Sequence, residues 1–306
     1  MTARDASLLF VLAALWGASF LFIRVAVPAL GPFPLVGLRV ALAGIILLGY
    51  ALAIHQAPDW RAYGPRFLFL GLFNNAIPFT LIATAQLTLT ASLAALLNAT
   101  TPLFSAIIAA LWIQDRLTAP KVIGLGLGIV GVGIIVGAGP DAFEAARAEG
   151  VVLMLAASCS YGVGVVFSKV AFTGVSPVSI STGQLLSSSL MILPLAAWHA
   201  PQEPIGATPL AAALGLATLS TAVAYLIYFH LVKHAGPTNA ASVTLLIPFF
   251  SSLWGAVFLG ERLLANEIAG FGVILVALLL VTGLWQNLPL RKRATQAAPI
   301  APPSGQ

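Results

Sequence analysis

From Leu8 to Val27 the chain runs for twenty residues with a single ionisable side chain, Arg24. Such runs recur along nearly the whole sequence. Crossing a ~30 Å hydrocarbon core takes roughly 20 apolar residues of helix, because without water every backbone N–H and C=O must bond within the segment. Divided at polar or Pro-bearing breaks, the sequence yields ten runs, at about 6–27, 33–54, 65–86, 90–113, 119–138, 150–172, 177–199, 209–232, 237–259 and 265–286. Hydrophobic residues make up 59% and charged ones 8%, with a mean hydropathy of +1.01. A soluble domain carries about a quarter charged residues, so a soluble globule is excluded. The net charge of +5 does not indicate nucleic acid, since Lys and Arg stand singly between apolar runs and form no basic face. The lone Cys159, itself within an apolar run, rules out an intramolecular disulfide framework and a cysteine metal cluster.

The sequence also repeats itself. TPLFSAIIAALWIQDRL, residues 101–117, returns as IPFFSSLWGAVFLGERL 146 residues later. That offset aligns Pro102 with Pro248, Phe104 with Phe250, Ser105 with Ser251, Asp115 with Glu261, Arg116 with Arg262 and Leu117 with Leu263. An offset of 145 pairs Trp16 with Tyr161, Gly17 with Gly162, Phe22 with Phe167 and Arg24 with Lys169. The first run follows Arg4 and has the look of a signal peptide, but its partner is the internal sixth run, so it reads as a helix.

Lys and Arg fix the expected orientation. With the N-terminus in the cytoplasm, ten cations fall on or near the inside: Arg4, Arg61, Arg66, Arg116, Lys121, Lys169, Lys233, Arg291, Lys292 and Arg293. Only Arg24, Arg147 and Arg262 fall near the outside, and Arg39 lies within the outer half of the second run. Five crossings per half force the second half to enter from the opposite side. The expected fold class is therefore an all-α polytopic membrane protein of ten transmembrane helices in two inverted-topology five-helix repeats. Its parts are a first repeat at 1–140, an outer connecting loop at 141–149, a second repeat at 150–288 and a basic, Pro- and Ala-rich cytoplasmic tail at 289–306 that has nothing to bury and reads as disordered. Inverted repeats place two similar half-gates on opposite sides of one central site, the architecture of alternating access.

Five plus five helices, LWGASFLFIRVAV opening one half, SYGVGVVFSKVAF opening the other and a Pro-to-acid-Arg-Leu stretch in the fourth and ninth runs together resemble the drug/metabolite transporter superfamily, EamA type, over about 1–288. Length and aromatic content are similar to the YddG-type exporters of aromatic and other amino acids. The resemblance implies a bacterial inner-membrane transporter exporting amino acids or related small metabolites. It implies no enzyme activity.

Polar side chains inside a helix bundle face its interior or a water-filled cavity. Asn75, Phe79, Ile82 and Gln86 form one stripe on the third run, and the 146-residue offset gives Thr221, Tyr225 and Tyr228 on the eighth. Asn98, Thr101 and Ser105 share a face beside Pro102, as do Thr244, Ile247 and Ser251 beside Pro248. With Trp16 and Tyr161, these faces are expected either to line a cavity for a partly apolar, hydrogen-bonding solute or to bond between helices. Pro102 and Pro248 would kink their helices or free the carbonyls of Asn98 and Thr244 for substrate. Arg24 and Lys169 read as interfacial anchors, Arg39 as a residue facing a substrate carboxylate or a gate. The pairs Asp115–Arg116 and Glu261–Arg262 either secure helix ends or latch a gate on each side.

No Asp or Glu lies at the middle of any run, so a carboxylate proton relay has no obvious carrier and facilitated diffusion is expected. The glycine spacing in GLGLGIVGVGIIVGAG, 124–139, lacks the strand and ribose-binding acid of a dinucleotide site and reads as close helix packing. The glycosylation triplet at 98–100 falls inside a helix and is expected to be silent. The alternatives are a nucleotide-sugar or phosphorylated-metabolite exchanger, which would need several cavity cations, a channel, and an intramembrane enzyme, for which no catalytic set is found. The expected partners are a small-molecule substrate and the lipid bilayer, with no nucleic acid, no cofactor, no metal and a monomer as the working unit.

Overall fold

The computed structural model describes residues 2–137, 145–236, 240 and 242–283. Of the loop expected at 141–149, residues 141–144 lie outside these residues and 145–149 are helical, so the sixth helical run begins earlier than the expected 150; all of the tail at 289–306 lies outside. Among the described residues the chain is helical, with no β-strand. Among the described residues, nine helical stretches are long and apolar enough to cross a membrane. Large apolar side chains point outward along them, with Leu111 80% and Ile129 75% exposed, as a lipid-facing surface requires. The protein is an integral membrane protein.

Helix α1 (Ala3–Leu30) starts at a capping box: the Asp5 N–H donates to the Thr2 hydroxyl, and the Thr2 N–H donates to the Asp5 carboxylate at 3.0 Å. It ends at Gly31, whose φ of +77° is open to a residue without Cβ. After this single residue α2 (Pro32–Ala53) begins, with Pro32 in the first turn, where a missing N–H costs nothing.

The third crossing is α3 (Trp60–Gly71), a π-helical segment (Leu72–Ala76) and α4 (Ile77–Ala85). Next come α5 (Ala91–Asn98), α6 (Thr101–Trp112) and α7 (Ala119–Gly137). Beyond the linker lie α8 (Ala145–Ala171) and α9 (Pro177–Trp198), then α10 (Ala207–Ala217), a second π-helical segment (Thr218–Val223) and α11 (Ala224–Ala235). A 3₁₀ turn (Ser242–Leu245), α12 (Ile247–Leu259) and α13 (Ala265–Thr282) complete the described fold.

Two differences from the sequence expectation concern the prolines. Pro102 and Pro248 do not bend continuous helices. Each stands in the first turn of a new helix, α6 or α12, after a break. The ring excludes the preceding residues from helical continuation but is tolerated in a first turn. The ninth run is accordingly divided: its start falls on residues outside the description, and α12 alone, at 13 residues, rises only about 20 Å.

Close helix contacts depend on small residues. A Cβ built on Gly17 of α1 would lie 2.7 Å from Phe250 Cβ and 2.8 Å from the Ser251 nitrogen of α12. Built on Gly162 of α8, it would lie 3.0 Å from the Ser105 nitrogen of α6. The glycines of α7 likewise serve packing: a Cβ on Gly270 of α13 would sit 2.6 Å from the Gly131 carbonyl oxygen. The bundle has two chemically distinct ends. Asp115, Lys121 and Lys169 gather at one, and Glu261, Arg24 and the start of α5 at the other.

Candidate functional site

A cavity of about 540 Å³ lies among α1 to α6, α8, α9, α11 and α12, within the ~300–1,000 Å³ usual for small-molecule sites. Trp16, Phe79, Ile82, Asn98, Thr101, Tyr161, Tyr225, Tyr228 and Thr244 all line it, as do Arg39, Pro102 and Pro248. Aromatic rings from α1, α4, α8 and α11 form part of its wall. The Trp16 ring lies 5.5 Å from Tyr228 and meets Tyr225 edge-on at 6.5 Å, and Phe79 meets Tyr161 at 6.3 Å.

Asn75 is not in the lining: it is fully buried, and its amide has no hydrogen-bond partner among the described residues. Asn74 lines the cavity in its place. The cause is the π-helical segment Leu72–Ala76, whose wider turn brings residues five apart into line, so that Asn74 rather than Asn75 stands over Phe79. Asn74 Nδ2 donates to Gln184 Oε1 at 2.9 Å, and Gln184 Nε2 donates to the Tyr225 hydroxyl at 3.4 Å. Gln184 was visible in the sequence as a mid-helix amide, whereas 3.6-residue periodicity could not select Asn74. The Asn98 carbonyl, which the second reading of Pro102 would leave free for substrate, accepts the Thr101 hydroxyl at 2.8 Å.

Arg39 of α2 is 8% exposed and lines the cavity. Its Nε donates to Thr221 Oγ1 at 3.1 Å, and its guanidinium carbon lies 3.6 Å from the centre of the Phe79 ring. A cation deep in a bilayer costs about 2.5–3.5 kcal/mol on insertion scales. A desolvated cation–π contact worth about 2 kcal/mol and a hydrogen bond from a charged donor worth about 1.5–3 kcal/mol offset much of that. Arg39 therefore keeps its charge with no acidic partner, and its terminal N–H groups have no hydrogen-bond acceptor among the described residues.

The sequence-adjacent charge pairs are not ion pairs. Asp115 accepts a hydrogen bond from Lys121 Nζ at 3.0 Å, and the Arg116 carbonyl accepts from the same ammonium at 3.3 Å. The Glu261 carboxylate sits on the N-terminus of α5, accepting the Ala91 N–H at 2.8 Å, the Ser92 N–H at 3.0 Å and the Ser92 hydroxyl at 2.6 Å. Arg262 forms no ion pair among the described residues. Beside Glu261, Arg24 bonds to the Gln86 and Leu87 carbonyls. The cavity lining reaches Ser168 and Pro177 near the Asp115 end, while Glu261, Leu87 and Pro28 surround a separate recess. Among the described residues no group of His, Cys, Asp and Glu is gathered to hold a metal ion.

Residues 5–137 and 148–283 each match the model of the EamA-like transporter family. Relatives of similar length include the "Uncharacterized transporter YvbV" of Bacillus subtilis, 27% identical over 91% of this chain and 91% of its own. The "Uncharacterized inner membrane transporter YedA" of Escherichia coli K12 is 28% identical over 90% and 89%. The "Probable amino-acid metabolite efflux pump" of Salmonella typhimurium is 26% identical over 94% and 96%. A solved crystal structure matches with a TM-score of 0.65 at 18% identity, covering 94% of this chain and all of that one, which is a likeness of fold alone.

Proposed function

The chain belongs to the EamA-like transporter family, and on that premise we propose that it exports amino acids, aromatic and apolar ones above all, or related small metabolites. The observation that carries this reading is the aromatic cavity of about 540 Å³, walled by residues from both family-matched segments and studded with Asn, Gln, Thr and Ser. The Salmonella relative's name, a probable amino-acid metabolite efflux pump, supports the broader part of that range, amino acids or related metabolites. In this reading ten crossings form two inverted five-helix repeats, 1–140 and 150–288, with both termini in the cytoplasm and a bacterial inner membrane as the location.

Alternating access is the mechanism. Support comes from reciprocal features at matching positions: π-helical segments at Leu72–Ala76 and Thr218–Val223, helix restarts at Thr101 and Ile247, and Gly17 against α12 as Gly162 is against α6. In the proposed orientation the Asp115 end is cytoplasmic, so the cavity reaches toward the inside. Translocation is facilitated diffusion, because none of the lining residues is Asp, Glu, His or Lys. A phosphorylated-metabolite exchanger would need several cavity cations, and Arg39 stands alone among the lining residues.

The test is counterflow of labelled amino acids into proteoliposomes holding purified protein, with and without an imposed pH gradient at fixed membrane potential. Uptake of aromatic or apolar amino acids at a rate independent of the pH gradient is expected. Exchange of some other metabolite with failure of every amino acid overturns the substrate range, and a steep dependence on the pH gradient overturns facilitated diffusion.

A further inference from the structure

We infer that the preferred solute is a net anion: a carboxylate with an aromatic or apolar body and no free ammonium, such as an N-acylated amino acid, held by Arg39. The inference rests on the transport reading above and narrows it from amino acids and related metabolites to one charge class.

Three observations carry it. Arg39 is the one charged side chain among the described residues that line the cavity. It is more than nine-tenths buried, and its terminal N–H groups face the cavity without an acceptor among the described residues. Its orientation is already fixed, because Nε is held by Thr221 and the guanidinium plane lies over Phe79. A guanidinium so anchored presents its two terminal nitrogens as a fork, the geometry that takes the two oxygens of a carboxylate.

The complementary argument concerns what the cavity lacks. No lining residue among those described carries a carboxylate, so a substrate ammonium would leave water for a space in which the charge offered by the described lining is also positive. The Gln184 Oε1 already accepts from Asn74, and the acceptor left in that pair, the Asn74 amide oxygen, is neutral and does not replace a carboxylate as partner of an ammonium. Acylating the nitrogen removes that charge and substitutes a neutral amide, which hydroxyls such as those of Ser19 and Tyr228 can match. The carboxylate that remains neutralises Arg39. The aromatic walls around Trp16 and Tyr161 suit the rest of the solute.

The experiment compares two solutes that share a body and differ in charge, phenylalanine as a zwitterion and N-acetylphenylalanine as an anion. Each is measured by counterflow in proteoliposomes of the full chain, against protein-free liposomes. The expected result is a kcat/KM for the anion about tenfold or more above that of the zwitterion, the scale of one well-placed charge contact. Arg39→Gln should abolish this preference, and Arg39→Lys, which keeps a point charge but loses the fork, should retain part of it. If Arg39→Gln does not fold, the wild-type ratio and the lysine variant decide. A wild-type protein that takes the zwitterion as well as or better than the anion overturns the inference and leaves the transport reading standing. Counterflow of neither solute, nor of any amino acid, overturns the transport reading and the inference with it.

Discussion

The carboxylate of Glu261 accepts three hydrogen bonds, two from the backbone N–H groups that open α5 and one from Ser92. Such groups have no partner within their own helix, and a negative charge at that end is favoured by the helix dipole. Asp115, at the matching position, instead pairs with Lys121, a contact in which both side chains are partly exposed, at 23% and 44%. The two acids should therefore respond differently to neutralisation. Glu261→Gln keeps an acceptor but loses charge assistance on several bonds and should cost about 2 kcal/mol, whereas Asp115→Asn should cost well under about 1 kcal/mol. Thermal unfolding of the detergent-solubilised protein measures both. The hydrogen bond from Lys121, which outweighs desolvation and is aided by the Lys121 and Lys169 charges, holds the Asp115 carboxyl below its usual 3.8. Its stabilisation is present above the unfolded value and is lost only as pH falls through the lower folded one. Between about pH 5 and 8 the difference between wild type and Asp115→Asn should thus stay constant. The sequence pointed to each acid–Arg pair as securing a helix end or latching a gate, but it could not show which helix end Glu261 meets, because one-dimensional spacing carries no information on a helix start brought in from 170 residues away.

At the scale of elements, the helices were legible because long apolar runs have few alternatives in a bilayer, and most expected spans lie within a few residues of those observed. Irregular turns were not legible. LFNNA and TLSTAV have no signature that separates a π turn from an α turn, yet the first of them determines which of two adjacent asparagines reaches the cavity. That register makes a direct prediction. Asn74→Ala should raise KM for the transported solute several-fold, since it leaves Gln184 short of a donor beside the cavity at a cost of about 1–3 kcal/mol. Asn75→Leu should leave KM unchanged, because the residue is outside the lining and its amide bonds to nothing described. The reverse pattern in transport kinetics would mean that the segment is an ordinary α-helix. Proline was informative in a different way. A kink was expected at Pro102 and Pro248, and a restart was found, because the ring that disfavours a helix interior fits its first turn.

At the scale of the molecule, the repeated sequence predicts two equivalent halves, but the two ends of the bundle differ. The cavity approaches the surface near Ser168 and Pro177, while at the opposite end Glu261 ties the end of α12 to the start of α5. If the halves alternate, the Glu261 contact must break whenever the cavity opens on its side. Ala95 reports on that event: it lines the cavity one turn from the capped end of α5 and is 1% exposed. In a Cys159→Ser background, which removes the one native thiol, Ala95→Cys in right-side-out and inverted vesicles should react with a membrane-impermeant maleimide from the Asp115 side only. Adding Glu261→Gln should raise its reactivity from the Glu261 side, because weakening a contact made in one state shifts the population toward the other. A factor of about ten in the ratio of accessibilities corresponds to about 1.4 kcal/mol of shift, within reach of the bonds lost. Equal labelling from both sides in the unmodified background would mean a continuous pore and would defeat alternating access. Unchanged sidedness with Glu261→Gln would reduce the Glu261 cap to a device of stability alone.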